Sequence, residues 1–208
     1  MSTWHSKILT PEQTSLLPAI ESFAIDFGLV GGTAIALHIG HRESIDFDLF
    51  TKNPAYDFDV AKLRQKFKRN AVMNEVFVQE KPEFTFMAGP VKITFYHFEY
   101  QISYADYFGK IPMPSLLTLA AMKAFAMGQR NKWKDYVDMY FIMREFHTLA
   151  EIVHEAERLF KSEFNAKLFR QQLSYFDDIN YAEAVMFKPG FEVPDEEIRH
   201  ALTEYSLA

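Results

Sequence analysis

Two aspartates, Asp46 and Asp48, lie in the run Ile-Asp-Phe-Asp-Leu-Phe with the spacing of a site that binds a metal ion. The alternation of polar and apolar residues predicts a strand over residues 45–50, and residues two apart on a strand project from the same face. Phe47 and Leu49 would then point the other way, into a core. Two neighbouring carboxylates repel each other unless a cation lies between them, and Mg²⁺ prefers oxygen ligands. Next to a phosphate-binding turn, the pattern would therefore suit Mg²⁺, whereas an Asp-x-Asp pair alone is often a solvated strand edge.

A turn made of Gly31, Gly32 and Thr33 precedes the aspartates, and it follows Leu29-Val30, a short apolar strand candidate. An Ala- and Leu-rich helix is predicted to begin at Thr33 and to run to Ile39, before Gly40. Glycine lets the backbone approach a ligand closely, and the free N–H groups of a helix N-terminus favour an anion. The Thr33 hydroxyl would add a donor. The turn is thus a candidate binding site for a triphosphate.

Helical and alternating patterns predict the elements that position these residues. A helix with one apolar face is predicted before the glycine turn, ended by Gly28. A second helix and three strands follow the aspartates, and Gly89-Pro90 forms the turn between the last two strands. The predicted elements are helices at residues 15–27 and 57–67 and strands at residues 77–79, 84–87 and 91–99.

The second half of the chain is predicted to be almost entirely helical. The prolines of Ile111-Pro112-Met113-Pro114 mark a boundary. The fold class is therefore α+β: a domain with a short mixed sheet at residues 1–110, followed by a helical domain at residues 111–208 that closes one side of the cleft. Helices are predicted at residues 116–127, 134–146, 149–160, 163–175 and 194–204.

Composition narrows the function classes. The 208 residues carry a net charge of −6, which argues against a protein that coats nucleic acid nonspecifically, because such binding needs a cationic face. Absence of cysteine excludes disulfides and thiolate metal sites and fits a reducing compartment. The N-terminal ten residues show no apolar leader segment, and no stretch approaches the length of a membrane span. These features predict a cytoplasmic protein without a membrane partner.

The order and spacing of the glycines and aspartates resemble the signature of nucleotidyltransferases related to DNA polymerase beta. Thirteen residues, 33–45, separate the glycine pair from the first aspartate. The likeness narrows to the AbiEii/AbiGii toxin family of nucleotidyltransferases and covers roughly residues 25–145. The residues that carry it are Gly31-Gly32-Thr33-Ala34, Leu37, Gly40-His41-Arg42, Ser44 and residues 46–50, followed by Lys123, Ala124, Arg130, Lys134-Asp135 and Asp138 on two consecutive helices.

The resemblance implies roles for several further residues. Lys123 would contact phosphate, and it lies in an otherwise apolar helical segment, which is unusual for lysine. Asp135 would orient Lys123 or activate the acceptor hydroxyl. Arg42 would contact phosphate or the acceptor, Asp138 is a poorer candidate that could pair with an arginine, and His41 is either a local hydrogen-bonding residue or a participant. The implied catalytic set is Asp46, Asp48, Lys123 and Asp135, and the implied nucleotide-binding set is Gly31, Gly32, Thr33, Arg42 and Lys123.

The resemblance also implies a reaction, which is Mg²⁺-dependent transfer of a nucleoside monophosphate from an NTP to an acceptor, with release of pyrophosphate. The acceptor would be RNA, tRNA in some relatives, or protein, and the chain would be the toxin of a toxin–antitoxin or phage-defence pair with a separately encoded antitoxin. Three alternatives stay open. They are a transferase for a small molecule such as an aminoglycoside, a nucleotide-binding or interaction module that has lost catalysis, and a structural protein with an accidental motif that binds no NTP.

One position departs from the superfamily pattern. A third carboxylate is expected on a later strand, but this strand reads Val-Lys-Ile-Thr-Phe, and Thr94 occupies the acidic position. A neutral hydroxyl cannot act as a base near neutral pH. Glu99 lies five residues further on and would need a bulge to reach the same face. The run from Phe95 to Tyr100 favours a core strand over an aromatic surface that stacks on bases.

Overall fold

The computed structural model describes residues 4–207, which form a mixed five-stranded sheet packed between helices. The strands are β1 (Phe27–Val30), β2 (Phe47–Thr51), β3 (Val76–Glu80), β4 (Glu83–Ala88) and β5 (Val91–Tyr96), with a separate hairpin of β6 (Asp106–Phe108) and β7 (Ile111–Met113). The helices are α1 (Pro11–Glu21), α2 (Gly31–Ile39), α3 (Val60–Lys68), α4 (Leu116–Met127), α5 (Trp133–Glu145), α6 (Leu149–Phe160), α7 (Ala166–Leu173) and α8 (Asp195–Leu207).

The sheet has the strand order β1-β2-β5-β4-β3. Only the central pair, β2 and β5, is parallel, and the other neighbours are antiparallel. This arrangement gives the short mixed sheet that the sequence predicts.

One face of the sheet forms the core of the N-terminal half. Residues along β5 alternate between buried and half-buried, as the sequence pattern predicts. The buried face packs its aromatic rings against Phe23 and against Phe67 of α3. Burial of one large apolar side chain contributes about 1.5–3 kcal/mol, so this face anchors the sheet. Its buried residues include Leu29, Phe47, Leu49, Phe84, Phe86, Ile93 and Phe95.

Helix starts were predictable where a side chain caps them. Ser115 accepts a hydrogen bond from the backbone N–H of Thr118, and Thr148 forms a capping box with Glu151. The predicted helices 116–127 and 149–160 have these bounds in the structure. None of the helices within residues 4–207 combines the length and apolarity needed to cross a membrane.

The prediction of a first helix ending at Gly28 was wrong. Helix α1 ends at Glu21, and Gly28 lies inside β1, opposite Phe50. A Cβ atom at Gly28 would lie 2.1 Å from the Tyr104 ring, so glycine is needed there for packing rather than for ending a helix. Strand β5 likewise ends at Tyr96, before the predicted end at residue 99.

The helical half packs directly onto the start of the molecule, since α2 contacts both α4 and α5. The proposed division at residues 110 and 111 falls within the β6–β7 hairpin, in which Phe108 pairs with Ile111. The domain boundary therefore stays a prediction. The close packing of α2 on the C-terminal helices brings residues from both halves to one cleft.

Candidate active site

Strand β2 places Asp48 in the middle of the sheet face that is free of the aromatic core. Its Cα partners are Val30 on β1 and Thr94 on β5, while Phe47 and Leu49 are buried on the opposite face. Asp46 precedes β2, and its Oδ2 lies 2.8 Å from Nζ of Lys92. The strand alternation predicted for this segment therefore presents Asp48 on the exposed side of the sheet.

The two glycines permit close contacts that a side chain would block. Gly31 begins α2 with a φ of +71°, and a Cβ atom there would lie 2.4 Å from Oδ2 of Asp48. A Cβ atom at Gly32 would lie 2.5 Å from Nη2 of Arg42. Helix α2 has no side-chain hydrogen bond at its N-cap, Val30, so its first N–H groups stay available to an anion. The turn thus brings backbone donors next to a carboxylate.

Alanine at Gly31 is expected to cost about 1–2 kcal/mol of stability and to abolish nucleotide binding, because the methyl group adds backbone strain and displaces the Asp48 carboxylate. Gly89→Ala is the matched control, since Gly89 also has a positive φ, of +61°, but a Cβ atom there meets no atom within 4 Å. Thermal unfolding and NTP titration of both variants measure the effects. Equal binding by the two variants would contradict a role for the Gly31–Asp48 contact.

The Thr33 hydroxyl was predicted to contact the triphosphate, but in the structure it forms hydrogen bonds within the protein. Its side chain is buried, and its Oγ1 lies 2.9 Å from Oγ of Ser44 and within hydrogen-bond distance of the backbone oxygen of Asp46. Gln13 also donates to the backbone oxygen of Ser44, at 2.7 Å. We therefore assign Thr33 to fastening the segment before β2 against α2, in place of the predicted contact with the triphosphate.

The Arg42 side chain is also buried and bonded to other groups of the protein. It is 2 % exposed, and it forms a bidentate pair with Asp138, with Nε–Oδ1 and Nη2–Oδ2 distances of 2.7 and 2.8 Å. Its Nη1 donates to the backbone oxygen of Glu43. Because this guanidinium also packs against Gly32, we assign Arg42 to supporting the glycine turn rather than to the predicted binding of nucleotide. Asp138 is the arginine partner that the sequence suggested.

His41 is a structural hydrogen-bonding residue in this arrangement. It is fully buried, and its Nε2 lies 2.7 Å from Oδ1 of Asp138. Burial is the main reason why the pKa of His41 is lowered, against the attraction of Asp138. The ring is therefore neutral near pH 7, with its proton on Nε2, where it donates to the carboxylate.

Lys123 is held between two buried carboxylates on α5. Its Nζ lies 2.5 Å from Oδ1 of Asp135 and 2.9 Å from Oδ2 of Asp138. Asp135 also accepts from Arg130, at 2.8 Å. Burial opposes ionisation of Asp135, but Lys123 and Arg130 outweigh it and lower the pKa of Asp135. Since Asp135 is 3 % exposed and bonded at both oxygens, it is positioned to orient Lys123.

A cleft of about 540 Å³ joins these groups, with a polar end and an aromatic end. The size suits a nucleotide-sized ligand. Its polar end contains Gly31, Asp48 and the three cations Lys92, Lys123 and Arg130. The aromatic end is lined by Phe50, Tyr96, Phe98, Tyr100 and Phe125, and the carboxylates Glu83, Glu99 and Glu163 also lie along the cleft.

The sequence did not predict that some of these residues line the cleft. Lys92 was missed, although its spacing of two from Thr94 puts both on one face of β5. The aromatic run was assigned to the core, in which Phe95 and Phe98 are indeed buried, but Tyr96, Phe98 and Tyr100 also line the cleft. Glu99 does reach the cleft, but it does so from beyond the end of β5 and not through a bulge. The alternation of β5 was the available signal for Lys92 and Tyr96.

The carboxylate pair has the character of a cation site. Burial and then the charge of Asp46 raise the pKa of Asp48, against the pull of Lys92 and Arg130. A divalent cation would offset both causes, and the neighbouring hydroxyl of Thr94 adds to an oxygen-rich surrounding. Within residues 4–207, no three His, Asp or Glu side chains cluster as a metal-binding group. Two carboxylates and one hydroxyl would supply only part of the oxygen shell of a divalent ion, and the rest would have to come from other ligands.

The mixed sheet, the glycine turn at the start of α2 and the aspartate on β2 define the nucleotidyltransferase fold. A Helicobacter pylori protein described as a candidate nucleotidyltransferase has the same fold, with a TM-score of 0.63, 14% identity, and coverage of 94% of this chain and 92% of that one. MenT4, a nucleotidyltransferase toxin from Mycobacterium tuberculosis H37Rv, superimposes with a TM-score of 0.54 at 8% identity, covering 95% and 84% of the two chains. The α+β fold predicted from the sequence is confirmed.

The chain belongs to the AbiEii family, described as the nucleotidyl transferase AbiEii toxin of type IV toxin–antitoxin systems, whose model matches residues 16–204. The resemblance drawn from the sequence motifs is therefore confirmed. An uncharacterised protein of Aquifex aeolicus, aq_aa25, is 28% identical over 207 residues, which covers 95% of this chain and 97% of that protein. The family likeness extends through the C-terminal helices, well beyond residue 145.

Proposed function

We propose that the chain transfers a nucleoside monophosphate from an NTP to a hydroxyl of an RNA or protein acceptor and releases pyrophosphate. It would act as a cytoplasmic toxin whose antitoxin is encoded separately. The observation that carries the proposal is the contact of Asp48 with Gly31 at the cationic end of the cleft. A helix N-terminus, a carboxylate that favours a cation and three basic side chains there suit a triphosphate.

Different residues along the cleft would bind the triphosphate and the nucleoside. Lys92, Lys123 and Arg130 would meet the triphosphate oxygens, and the N–H groups at Gly31 would add neutral donors. Electrostatic stabilisation of a leaving pyrophosphate needs cations that are already in place. The pairs with Asp135 and Asp138 hold the Lys123 side chain in place, so little reorganisation is needed during transfer. The aromatic end would hold the nucleoside by stacking.

Asp46 and Asp48 would hold the metal, with Mg²⁺ as the expected ion because the donors are oxygens. When bound, the ion supplies charge neutralisation between the triphosphate and the two carboxylates. Lys92 pairs with Asp46 and also lines the cleft, so it lies where it would contact phosphate oxygens beside the metal-holding carboxylates.

A transfer assay with α-labelled NTPs and a panel of acceptors tests the proposal. We expect label to appear on unfractionated tRNA or on protein, in the presence of Mg²⁺, with equal release of pyrophosphate. Aminoglycosides belong in the panel because Glu83, Glu99 and Glu163 would attract amino groups in the cleft. Labelling of an aminoglycoside alone would favour the small-molecule alternative, and NTP binding without pyrophosphate release would favour a module without catalysis.

A further inference from the structure

The proposed reaction needs a group that takes the proton from the attacking hydroxyl, and the obvious acids are engaged elsewhere. Asp48 and Asp46 are the expected metal ligands. Asp135 is buried, and both its oxygens are bonded to Lys123 and Arg130. Thr94 lies beside Asp48 in the parallel register of β2 and β5, but an alcohol alone is not a base. Of the other carboxylates along the cleft, Glu163 accepts from the Tyr100 hydroxyl and Glu99 is exposed beyond the end of β5, which leaves Glu83.

Two threonines connect Thr94 to a carboxylate on the next strand. Thr85 pairs with Thr94 in the antiparallel register of β4 and β5, and their Oγ1 atoms are 3.1 Å apart. Glu83 lies two residues before Thr85 and therefore on the same face, and its Oε1 is 2.5 Å from Oγ1 of Thr85. Glu83, Thr85 and Thr94 all line the cleft. The three groups form a line across the sheet towards Asp48.

The chemistry of these groups fixes the direction of their hydrogen bonds. An ionised carboxylate only accepts, so the single hydroxyl proton of Thr85 goes to Glu83. Thr85 must then accept from Thr94, whose own proton is used in that bond. Thr94 lines the cleft beside Asp48, and its oxygen keeps acceptor capacity for a hydrogen bond from a bound alcohol. The line is thus oriented to carry a proton away from the reacting centre.

We propose that Glu83, acting through Thr85 and Thr94, takes up the proton of the acceptor hydroxyl. This proposal rests on the proposed function. As the acceptor oxygen forms its bond to the α-phosphorus, its proton passes to Thr94, the Thr94 proton passes to Thr85, and the Thr85 proton passes to Glu83. The bond between the α-phosphorus and its bridging oxygen breaks, and pyrophosphate leaves with that electron pair. Glu83 then releases the proton to water in the cleft.

Kinetics of Glu83→Gln test the proposal, with the α-labelled NTP and unfractionated tRNA or protein as probes. We expect kcat to fall by about 100-fold or more, the usual contribution of a proton acceptor, while the KM for NTP changes little. Glu80→Gln is the matched control, because Glu80 is the Cα partner of Glu83 on the neighbouring strand β3 but is exposed and lies outside the cleft lining. It should keep a kcat near that of the wild type.

Two further variants separate a proton path from a merely structural role. Thr94→Val removes the first hydroxyl and should lower kcat as Glu83→Gln does, which also covers the case of a misfolded Glu83 variant. Adding Thr94→Asp to Glu83→Gln places a carboxylate directly beside Asp48 and should restore at least a tenth of the lost activity. Thermal unfolding and NTP titration confirm that each variant is folded.

The outcomes also distinguish this inference from the proposed function. Wild-type kcat in Glu83→Gln, or an equal loss of kcat in Glu80→Gln, would overturn the relay, while an inactive Asp48→Asn in the same assay would leave the nucleotidyltransferase assignment standing. If kcat does not recover when Thr94→Asp is added to Glu83→Gln, loss of a carboxylate is not the cause of the lower kcat, and the relay is rejected. A wild-type protein that labels none of the acceptors would overturn both.

Discussion

Asparagine at Asp48 is expected to lower nucleotide transfer by about 1,000-fold while leaving the fold intact, because it removes the charge that lies beside the glycine turn and would hold the proposed cation. Burial and the charge of Asp46 raise the pKa of Asp48. Ionising this carboxylate therefore costs more free energy in the folded protein than in the unfolded chain, which lowers the stability of the wild type near pH 7. The variant should therefore be as stable as the wild type or more stable. Steady-state transfer kinetics and thermal unfolding measure the two effects.

Asp57→Asn is the control for Asp48→Asn, since the Asp57 side chain is 75 % exposed and is paired with an exposed lysine. It should change neither activity nor stability measurably, as is usual for surface ion pairs. A fully active Asp48→Asn enzyme would remove this carboxylate from the reaction. A large loss of stability would instead mean that Asp48 supports the fold.

Alanine at Asp138 is expected to destabilise the protein by about 3–5 kcal/mol, because it leaves Arg42 and Lys123 buried without this carboxylate. Asp138 is fully buried and accepts from His41 as well as from Arg42. At the usual conversion for a chain of this size, the melting temperature should fall by roughly 6–20 °C. Glu183→Ala, which breaks half-exposed pairs with Lys132 and Lys134, should cost under about 1 kcal/mol.

The carboxylate of Asp138 should also make the stability of the folded protein depend on pH. Burial opposes its ionisation, but Arg42 and Lys123 hold the pKa of Asp138 well below its ordinary value. For a group lowered in this way, the stabilisation is complete above the unfolded pKa of about 4 and is lost as the pH falls through the folded pKa. Wild type and Asp138→Ala should thus differ fully at pH 6 and converge in strong acid. Parallel stability curves down to pH 2 would contradict the ionised assignment.

The local parts of the fold were readable from the sequence because they depend on neighbouring residues. The caps Ser115 and Thr148 set helix starts, and alternation around Asp48 sets which face each residue occupies. The end of α1 was not readable, because Gly28 is required by Tyr104, a residue 76 positions away in a contact that only the folded chain makes.

At the candidate site, too, contacts between residues that are distant in sequence could not be predicted. Gly31 and Asp48 were identified from order and spacing, and the structure places them in contact. Arg42 was expected at the nucleotide because it follows the turn, yet Asp138, distant in sequence, pairs with it. The line from Thr94 to Glu83 depends on the register of two strands, and no local pattern specifies which residues pair.

Calorimetric titration of each NTP with Mg²⁺, into the wild type and into Asp46→Ala, tests the central claim most directly. Asp46 is half-buried, and its alanine variant should stay folded, since its side chain pairs only with the half-exposed Lys92 among the described ion pairs. We expect saturable, Mg²⁺-dependent binding of at least one NTP to the wild type and its loss in the variant. Equal binding by both proteins, or none that depends on Mg²⁺ in the wild type, would contradict the site.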